Sequence, residues 1–232
     1  MRHRQSFYHR EQHILDAAEQ ILLDSGVAEV VLDDLAQSLG IAKGTLYKHF
    51  KSKDELYLRL LIRYERQLLA INSINDSAMA SLARLMLQAL LEPQRAMTFF
   101  ALEERLSTQA VGMKQLFDEL YEVRHQRMKI VFAQTKAYLH SQGSSIDAKH
   151  YLASVWAMAQ GGANLLNSSF YQRVLGRRDV LIVGFLVQAL TLAMTHQTAP
   201  IKPLSKPTPT TTNEEKIKDD FSPFGKLAPP SL

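Results

Sequence analysis

The sequence contains no cysteine, and this absence excludes a disulfide framework, a thiolate nucleophile and a cysteine metal site. Residues 1–16 lack a long apolar core, so we expect no signal peptide. The most apolar stretch, residues 179–196, is shorter than a membrane span and is interrupted by Gly184, Gln188 and Thr191. We therefore expect a soluble protein of the cytoplasm.

Strand-like alternation and proline are also scarce through most of the chain. Seven of the eight prolines lie at or beyond Pro200, whereas apolar residues recur at helical spacing before that point. This pattern predicts an all-α fold of about nine helices. Residues 198–232 combine proline, threonine and charge, and we expect a disordered tail there. Phe221 and Phe224 in this tail are either a docking motif or part of a passive segment.

Acidic residues are missing from residues 43–53, which carry four lysines and one histidine. The whole chain has a formal net charge of only +4, so this basic stretch is a local feature. Its lysines are interleaved with Thr45 and Tyr47, a combination that suits contact with nucleic-acid phosphates. A solvated helix face is the alternative interpretation.

The basic stretch lies within a pattern of two short helices. Apolar residues recur at helical spacing from Leu32 to Leu39, and Gly40 then supplies a permissive backbone for a turn. The second helix directs Leu46 and Phe50 inward. Residues 52–55 form a predicted capping box for the next helix. Two short helices joined in this way follow the DNA-binding helix-turn-helix plan. The side chains left to face outward are those of Lys43, Thr45, Tyr47, Lys48 and His49.

The segment GIAKGTLYKHFKSKDEL, preceded by HILDAAEQILLDSG, resembles the DNA-binding domain of the TetR family of bacterial transcriptional repressors. The resemblance covers about residues 12–60. It implies an N-terminal three-helix helix-turn-helix domain over residues 1–51 and a C-terminal helical domain over residues 52–197, followed by the tail of residues 198–232. In this family the C-terminal domain binds a small molecule and forms a homodimer.

The resemblance also implies roles for individual residues around the second short helix. Two of them, Lys43 and Gly44, are expected near base edges. Two alternatives stay open, because Gly44 also makes an easy helix start and His49 also suits packing against the domain. The residues expected to hold the phosphate backbone are Thr45, Tyr47, Lys48, His49 and Lys53.

Two positions depart from the family pattern. Val31 and Ala42 stand where many members carry a hydroxyl residue at the start of a helix. Asp33 could replace part of the missing cap before the first short helix. We therefore expect somewhat fewer backbone contacts than in many members of the family.

The C-terminal half supplies aromatic residues and methionines together with a few polar groups. Such a set suits a large apolar ligand, although an ordinary hydrophobic core is the alternative. The polar residues could orient one group of an apolar or amphipathic effector. The complete predicted effector pocket contains Met86, Phe99, Phe100, Phe117, Tyr121, Arg124, His125, Met128, Trp156, Gln160 and Asn164.

The last predicted helix, residues 178–196, is apolar nearly all round, which calls for a second packing partner. The helix predicted before it, residues 147–173, contains small residues that permit close approach. We expect these two helices to form a four-helix bundle with a second copy of the chain. A central helix buried within one subunit is the alternative. The predicted interface residues are Gly161, Gly162, Leu181, Phe185 and Leu192.

Together these features predict a dimeric transcriptional repressor that binds a palindromic operator in double-stranded DNA and is released by a small apolar or amphipathic effector. An effector-independent architectural or protein-recruiting factor on the same fold is the alternative. Glu122 with His125, and Asp147 with His150, resemble acid–base pairs, but neither lies in a nucleophile or metal motif. We therefore expect no enzymatic activity, no cofactor, no metal and no membrane partner.

Overall fold

The computed structural model describes residues 2–25, 30–109 and 112–194, in which every regular element is a helix. This confirms the predicted all-α class, with a helix-turn-helix domain followed by a helical domain. Within these ranges no helix is both long and apolar enough to cross a membrane. The ten helices are α1 (Arg2–Ser25), α2 (Leu32–Ser38), α3 (Lys43–His49), α4 (Lys53–Asn72), α5 (Ala78–Leu91), α6 (Pro93–Gln109), α7 (Lys114–Ser141), α8 (Ala148–Asn167), α9 (Ser169–Leu175) and α10 (Arg178–Leu192).

The tenth helix arises because the helix predicted over residues 147–173 is divided at Ser168. The backbone of Ser168 is extended, with φ −102° and ψ 115°, and its N–H donates to the Leu165 carbonyl. Its hydroxyl accepts from the Tyr171 N–H, so one residue ends α8 and caps α9. Helix α1 begins at Arg2. The predicted tail over residues 198–232 lies outside the described residues.

The first four helices share one core, which we call the head core. Leu35 on α2, with Leu46 on α3 and Phe50 just after it, is fully buried in this core against apolar residues of α1 and α4. Tyr57 on α4 is also fully buried, and its hydroxyl accepts a 3.3 Å hydrogen bond from the Val30 N–H. A phenol that is satisfied in this way stabilises the connection between α1 and α2.

The head core continues into α6, so the helix-turn-helix does not pack as a separate body. Phe99, Leu102 and Leu106 belong to the same cluster of buried residues as the helices of the head. Tyr64 on α4 stacks on Phe99 with ring centroids 4.1 Å apart. A second core lies between α5, α7, α8 and α10, where the Tyr151 hydroxyl donates to the Ala189 carbonyl. Any movement of α6 therefore reaches the head through packed side chains.

Candidate nucleic-acid interface

The turn between α2 and α3 fixes the angle of the two short helices. Gly40 adopts φ 62°, in the left-handed region that favours glycine. The next residue, Ile41, donates its N–H to the Ala36 carbonyl at 3.0 Å and packs against the head core. The turn predicted from Gly40 is therefore present, and it positions α3 at the surface of the head.

Neither short helix has a side-chain cap, as the departures from the family pattern led us to expect. Val31 precedes α2 and Ala42 precedes α3, and no side chain accepts a hydrogen bond at either start. Asp33 does not supply the missing cap, because its carboxylate accepts a 2.5 Å hydrogen bond from Lys43 Nζ. The Thr45 N–H instead donates to the Ala42 carbonyl at 2.8 Å.

The outer face of α3 is basic and open. Lys43, Gly44 and Lys48 are exposed, and the Tyr47 side chain is 46% exposed although it is aromatic. Thr45 is half-buried. A Cβ built on Gly44 would meet no atom within 4 Å, so internal packing does not require glycine there. A short helix that exposes donors and an open backbone position can approach another molecule closely.

Lys43 is held as a cation on this face. Its hydrogen bond and charge interaction with Asp33 raise the pKa of the Lys43 ammonium above its usual value. The lysine side chain remains 66% exposed, so a phosphate oxygen can compete with Asp33 for the same ammonium. The ion pair presents Lys43 at the start of α3 without burying it.

The structure corrects the prediction that His49 faces outward. The His49 side chain is 1% exposed and stacks on the Phe7 ring with centroids 3.9 Å apart. Its Nδ1 lies 3.8 Å from Glu11 Oε2 and has no hydrogen-bond partner among the described residues. Burial lowers the pKa of the imidazole more than Glu11 raises it. His49 therefore fastens α3 to α1 and is not presented to a phosphate.

The start of α4 completes the basic face. Ser52 Oγ accepts from the Glu55 N–H at 3.1 Å, and Glu55 Oε2 accepts from the Lys51 N–H at 2.9 Å. This is the predicted capping box, with the carboxylate bonded one residue before the cap. Lys53 follows as the first residue of α4, with its Nζ 5.6 Å from the centroid of the Tyr57 ring.

Comparison with known proteins relates the N-terminal part of the chain to one family. The family model for bacterial regulatory proteins of the tetR family matches residues 14–60, which include α2, α3 and the start of α4. The N-terminal part of the chain matches the TetR family. One TetR-family relative, the HTH-type transcriptional activator FasR of Mycolicibacterium smegmatis, is 40% identical over 55 residues. These residues are 24% of this chain and 25% of FasR, so the chain spans about a quarter of that relative's length.

Solved structures share the TetR-family fold over most of both chains. A transcriptional regulator from Rhodococcus sp. Rha1 has a TM-score of 0.62 at 20% identity, covering 82% of this chain and 99% of that one. SmeT in its triclosan complex has a TM-score of 0.53 at 20% identity, covering 84% of this chain and 99% of that one. At these identities the likeness concerns the fold alone.

The residues predicted to line an effector pocket do not form one cluster. Phe99 and Phe117 pack in or against the head core, and Met86 is buried in the second core. For these three residues the structure supports the alternative of ordinary core packing. Phe100 and Tyr121 are 47% and 45% exposed, and Asn164 is exposed as well.

The other predicted pocket residues lie beside the junction of α7 and α8. Met128 packs with Trp156 in a third apolar cluster. His125 stacks on Tyr121 with ring centroids 5.8 Å apart, and Gln160 Nε2 lies 3.5 Å from Met97 Sδ. The remaining predicted residue, Arg124, is part of an ion network.

This ion network joins α4, α6 and α7, and no sequence pattern predicted it. Glu65 on α4 accepts hydrogen bonds from Arg124 at 3.0 Å and from Arg127 at 2.8 Å. Arg124 also donates to Glu103 on α6, and the Arg127 guanidinium lies 5.7 Å from the Trp156 ring centroid. Burial alone would raise the pKa of the Glu65 carboxyl, but Arg127 and then Arg124 outweigh it and hold that pKa below its usual value.

The acid–base pairs considered from the sequence have other tasks. Asp147 caps α8 by accepting from the Lys149 and His150 N–H groups, at 2.9 and 3.2 Å. The His150 side chain is 87% exposed and its Nδ1 lies 3.9 Å from Asp147 Oδ1. Glu122 Oε1 accepts from the Gln126 amide at 2.8 Å. These contacts are those of capping groups and helix-surface pairs.

The predicted dimer residues divide between the inside and the outside of the subunit. A Cβ on Gly162 would lie 2.7 Å from Leu90 Cδ2 and 3.1 Å from Phe185 Cδ2, so Gly162 serves packing within one chain. Phe185, Leu181 and Leu192 also pack against the second core. Gly161 is exposed, and a Cβ there would meet nothing within 4 Å. The structure thus corrects the assignment of Gly162 and retains Gly161 as a surface position.

The outer face of α10 carries a different apolar stripe from the predicted one. Val180, Val183, Val187 and Met194 are between 52% and 62% exposed and recur at intervals of three, four and seven residues. This spacing places them along one side of the helical segment. Helix α10 also packs on α8, whose exposed residues include Ala157 and Gly161, both of them small.

Proposed function

We propose that this chain is a DNA-binding transcriptional regulator that reads duplex DNA with α3. The observation that carries the proposal is the division of α3 into two faces. Leu46 is fully buried in the head core, whereas Lys43, Tyr47 and Lys48 are exposed. An exposed tyrosine among lysines contributes little to packing within one subunit. A helix that enters the major groove, by contrast, needs hydrogen-bond donors of this kind.

The exposed residues fall into two groups, those placed to contact base edges and those placed to contact phosphates. Lys43 and the open backbone at Gly44 lie at the start of α3, where base edges are within reach. Tyr47, Lys48 and Lys53 contact phosphates, and the half-buried Thr45 assists them. His49 acts indirectly, because its stack on Phe7 holds the end of α3.

Recovery of bound fragments from total genomic DNA tests this proposal. The wild-type chain should retain a small set of related sequences at moderate salt. The affinity of Tyr47→Ala for these sequences should be lower by about tenfold or more, because the variant lacks a hydrogen-bond donor to phosphate and the contact area of the ring. Tyr8→Ala is the matched control, since Tyr8 is a 59% exposed tyrosine on α1. Equal retention by both variants would remove α3 as the reading element.

The chain acts as a homodimer in this proposal. Three exposed valines on α10, Met194 just after its end and the small residues of α8 supply a surface that one subunit leaves uncovered. Two copies joined there form a four-helix bundle and present two copies of α3. Two-fold symmetry of this kind requires a palindromic operator with two half-sites.

A charge placed on the α10 stripe tests the dimer. Val183→Glu should convert the dimer to monomer in sedimentation analysis at micromolar concentration, because it buries an unpaired carboxylate at the interface. Met79→Glu is the control, since Met79 is 55% exposed on α5, a helix that is not part of the proposed interface. A wild-type chain that sediments as a monomer, or a Val183→Glu variant that stays dimeric, would rule the surface out.

A small apolar or amphipathic molecule releases the DNA in this proposal. SmeT, which shares the fold, is described in complex with triclosan. The body of this chain supplies half-buried or adaptable groups of the right kind beside α7, among them Met128 and Trp156. Operator titrations with and without an apolar compound set would test release. Operator binding that no compound weakens would favour the effector-independent factor.

A further inference from the structure

Arg124 on α7 is the point at which three helices are joined by charge. Its guanidinium bonds to Glu65 on α4 and to Glu103 on α6, and its side chain is 11% exposed. A guanidinium presents donors in a planar fork, so it can bind two carboxylates on different edges. The two edges of Arg124 are occupied by two carboxylates of very different accessibility.

Glu65 and Glu103 differ in how readily each carboxylate can give up its hydrogen bonds to Arg124. The Glu65 side chain is 5% exposed and also bonds to Arg127, so removing it would leave two buried guanidinium groups short of a partner. The Glu103 side chain is 33% exposed, and its bonds to Arg124 are the ones that join α6 to α7. Water already reaches Glu103, so its carboxylate can move into solvent while Glu65 stays in place.

Two exposed aromatic residues lie on the same helices as the Arg124–Glu103 ion pair. Phe100 lies three residues before Glu103 on α6, and Tyr121 lies three residues before Arg124 on α7. Residues at this spacing share one side of a helix. Both rings are nearly half exposed, and His125 stacks on Tyr121. A guanidinium bonded to a partly exposed carboxylate, with exposed aromatic residues three positions away on each helix, suits an anion with an apolar body.

We propose that Arg124 binds the carboxylate of an organic anion with an aromatic or aliphatic body, and that this carboxylate takes the place of Glu103. The inference rests on the proposed function and names the chemical class of its effector. The exchange conserves charge at Arg124, because one carboxylate replaces another. It differs in one respect: the incoming carboxylate is not attached to α6.

Release of Glu103 has a direct route to the head. Arg95 on α6 donates to Glu19 on α1 at 2.8 Å, and Gln94 donates to the Leu23 carbonyl. Glu19 also accepts from Arg63 on α4 at 2.5 Å. Helix α6 therefore touches both helices that support α3, and loosening its bond to α7 changes the position of the head.

Matched pairs of anions and neutral analogues test the site on the full-length chain. The probes are 1-naphthoate with 1-naphthalenemethanol and decanoate with decanol, followed by calorimetric titration and by operator release. At least one carboxylate should bind wild type and release operator about tenfold more effectively than its alcohol, because the charge-assisted bond is lost in the alcohol. Equal action by acid and alcohol, or no action by either acid, overturns the inference.

Two substitutions should shift carboxylate binding in opposite directions. Glu103→Gln removes the competing carboxylate and leaves Glu65 in place, so carboxylate affinity should rise about tenfold. Arg124→Met should abolish carboxylate binding. Arg124→Lys keeps the positive charge but lacks the planar set of guanidinium donors, so it should retain part of the binding. If the Arg124–Glu103 ion pair is purely structural, Glu103→Gln and Arg124→Met should both be less stable than wild type, and Glu103→Gln should bind carboxylates no more tightly. That outcome overturns the inference.

The proposed function fails separately from this inference. Operator binding by the unliganded wild-type chain tests DNA recognition without any anion. Release by a neutral apolar compound, with no response to either acid, would keep the regulator and exclude the carboxylate site. Loss of operator binding in wild type would remove both.

Discussion

Two regions of the molecule use cations in contrasting ways. On α3, Lys43 and Lys48 are exposed, and the one carboxylate bonded to Lys43 is itself 43% exposed. At the junction of α4, α6 and α7, the side chains of Arg124 and Arg127 are 11% and 6% exposed and are bonded to buried or partly buried carboxylates. The first set is open to a partner, whereas the second holds three helices together.

The contrast shows that pairing and burial, rather than charge itself, decide what a basic residue does. A buried guanidinium must keep its carboxylate, because an unpaired charge in the interior is strongly destabilising. An exposed lysine loses little when it exchanges one anion for another. The exposed lysines can therefore bind and release DNA without disturbing the fold, and the buried arginines cannot change partner without moving a helix.

The largest expected effect comes from breaking the buried region. Glu65→Ala should lower the free energy of unfolding by about 3–5 kcal/mol, because Arg127 and Arg124 lose a buried partner. Denaturant unfolding measures this. Glu119→Ala is the control, since the exposed Glu119–Arg66 pair joins the same two helices at 2.6 Å. That variant should stay within about 1 kcal/mol of wild type. Similar losses in both variants would erase the contrast.

The exposed region should respond in binding and not in stability. Lys48→Gln should reduce the slope of log affinity against log salt by about 1.8 for the operator-bound dimer, because each of its two copies loses one lysine–phosphate interaction that contributes about 0.9. Its unfolding midpoint should match wild type, because the Lys48 side chain is exposed at the end of α3. An unchanged salt slope would show that Lys48 does not touch DNA.

Gly44→Ala should separate stability from binding at a single position. Nothing lies within 4 Å of the added methyl group, so the helix should gain about 0.5–1 kcal/mol in unfolding free energy. Operator affinity should fall, because the methyl group stands where the backbone approaches DNA. The two are measured by denaturant unfolding and by operator titration. A stabilised variant with full affinity would mean that Gly44 is only a helix start.

The smallest expected effect concerns pH and the buried His49. Burial lowers the pKa of its imidazole, so the unfolded chain takes up the proton before the folded one. Stability is therefore complete above the ordinary histidine pKa of about 6.5 and declines as the pH falls below it. The free energy of unfolding of His49→Gln should decline less than that of wild type between about pH 7 and pH 5. Identical pH dependence in both proteins would contradict this assignment.

Local patterns were sufficient for the helices and for most of the α3 face. Gly40 predicted the turn, Ser52 predicted a cap, and the outward placement of Tyr47 and Lys48 followed from the inward placement of Leu46. These features depend on residues a few positions apart. The break at Ser168 was not predicted, because the apolar pattern continues through it and a single serine is only a weak signal for the end of a helix.

Long-range partners explain what the pattern could not reveal. His49 looked outward until Phe7, from another helix, was found stacked on it. Gly162 looked like a surface residue until Leu90 and Phe185 were found against it. In both cases helical spacing allowed two faces, and only the neighbouring helix decided which face was buried.

The sequence by itself determined the helical class, the turn at Gly40 and the basic character of α3, because each depends on residues close together in the chain. Only the tertiary structure decided that Glu65 lies between Arg124 and Arg127, at separations of 59 and 62 residues. Ionic partners at such distances leave no periodic signal, and the energy of each pair depends on how much water its burial removes.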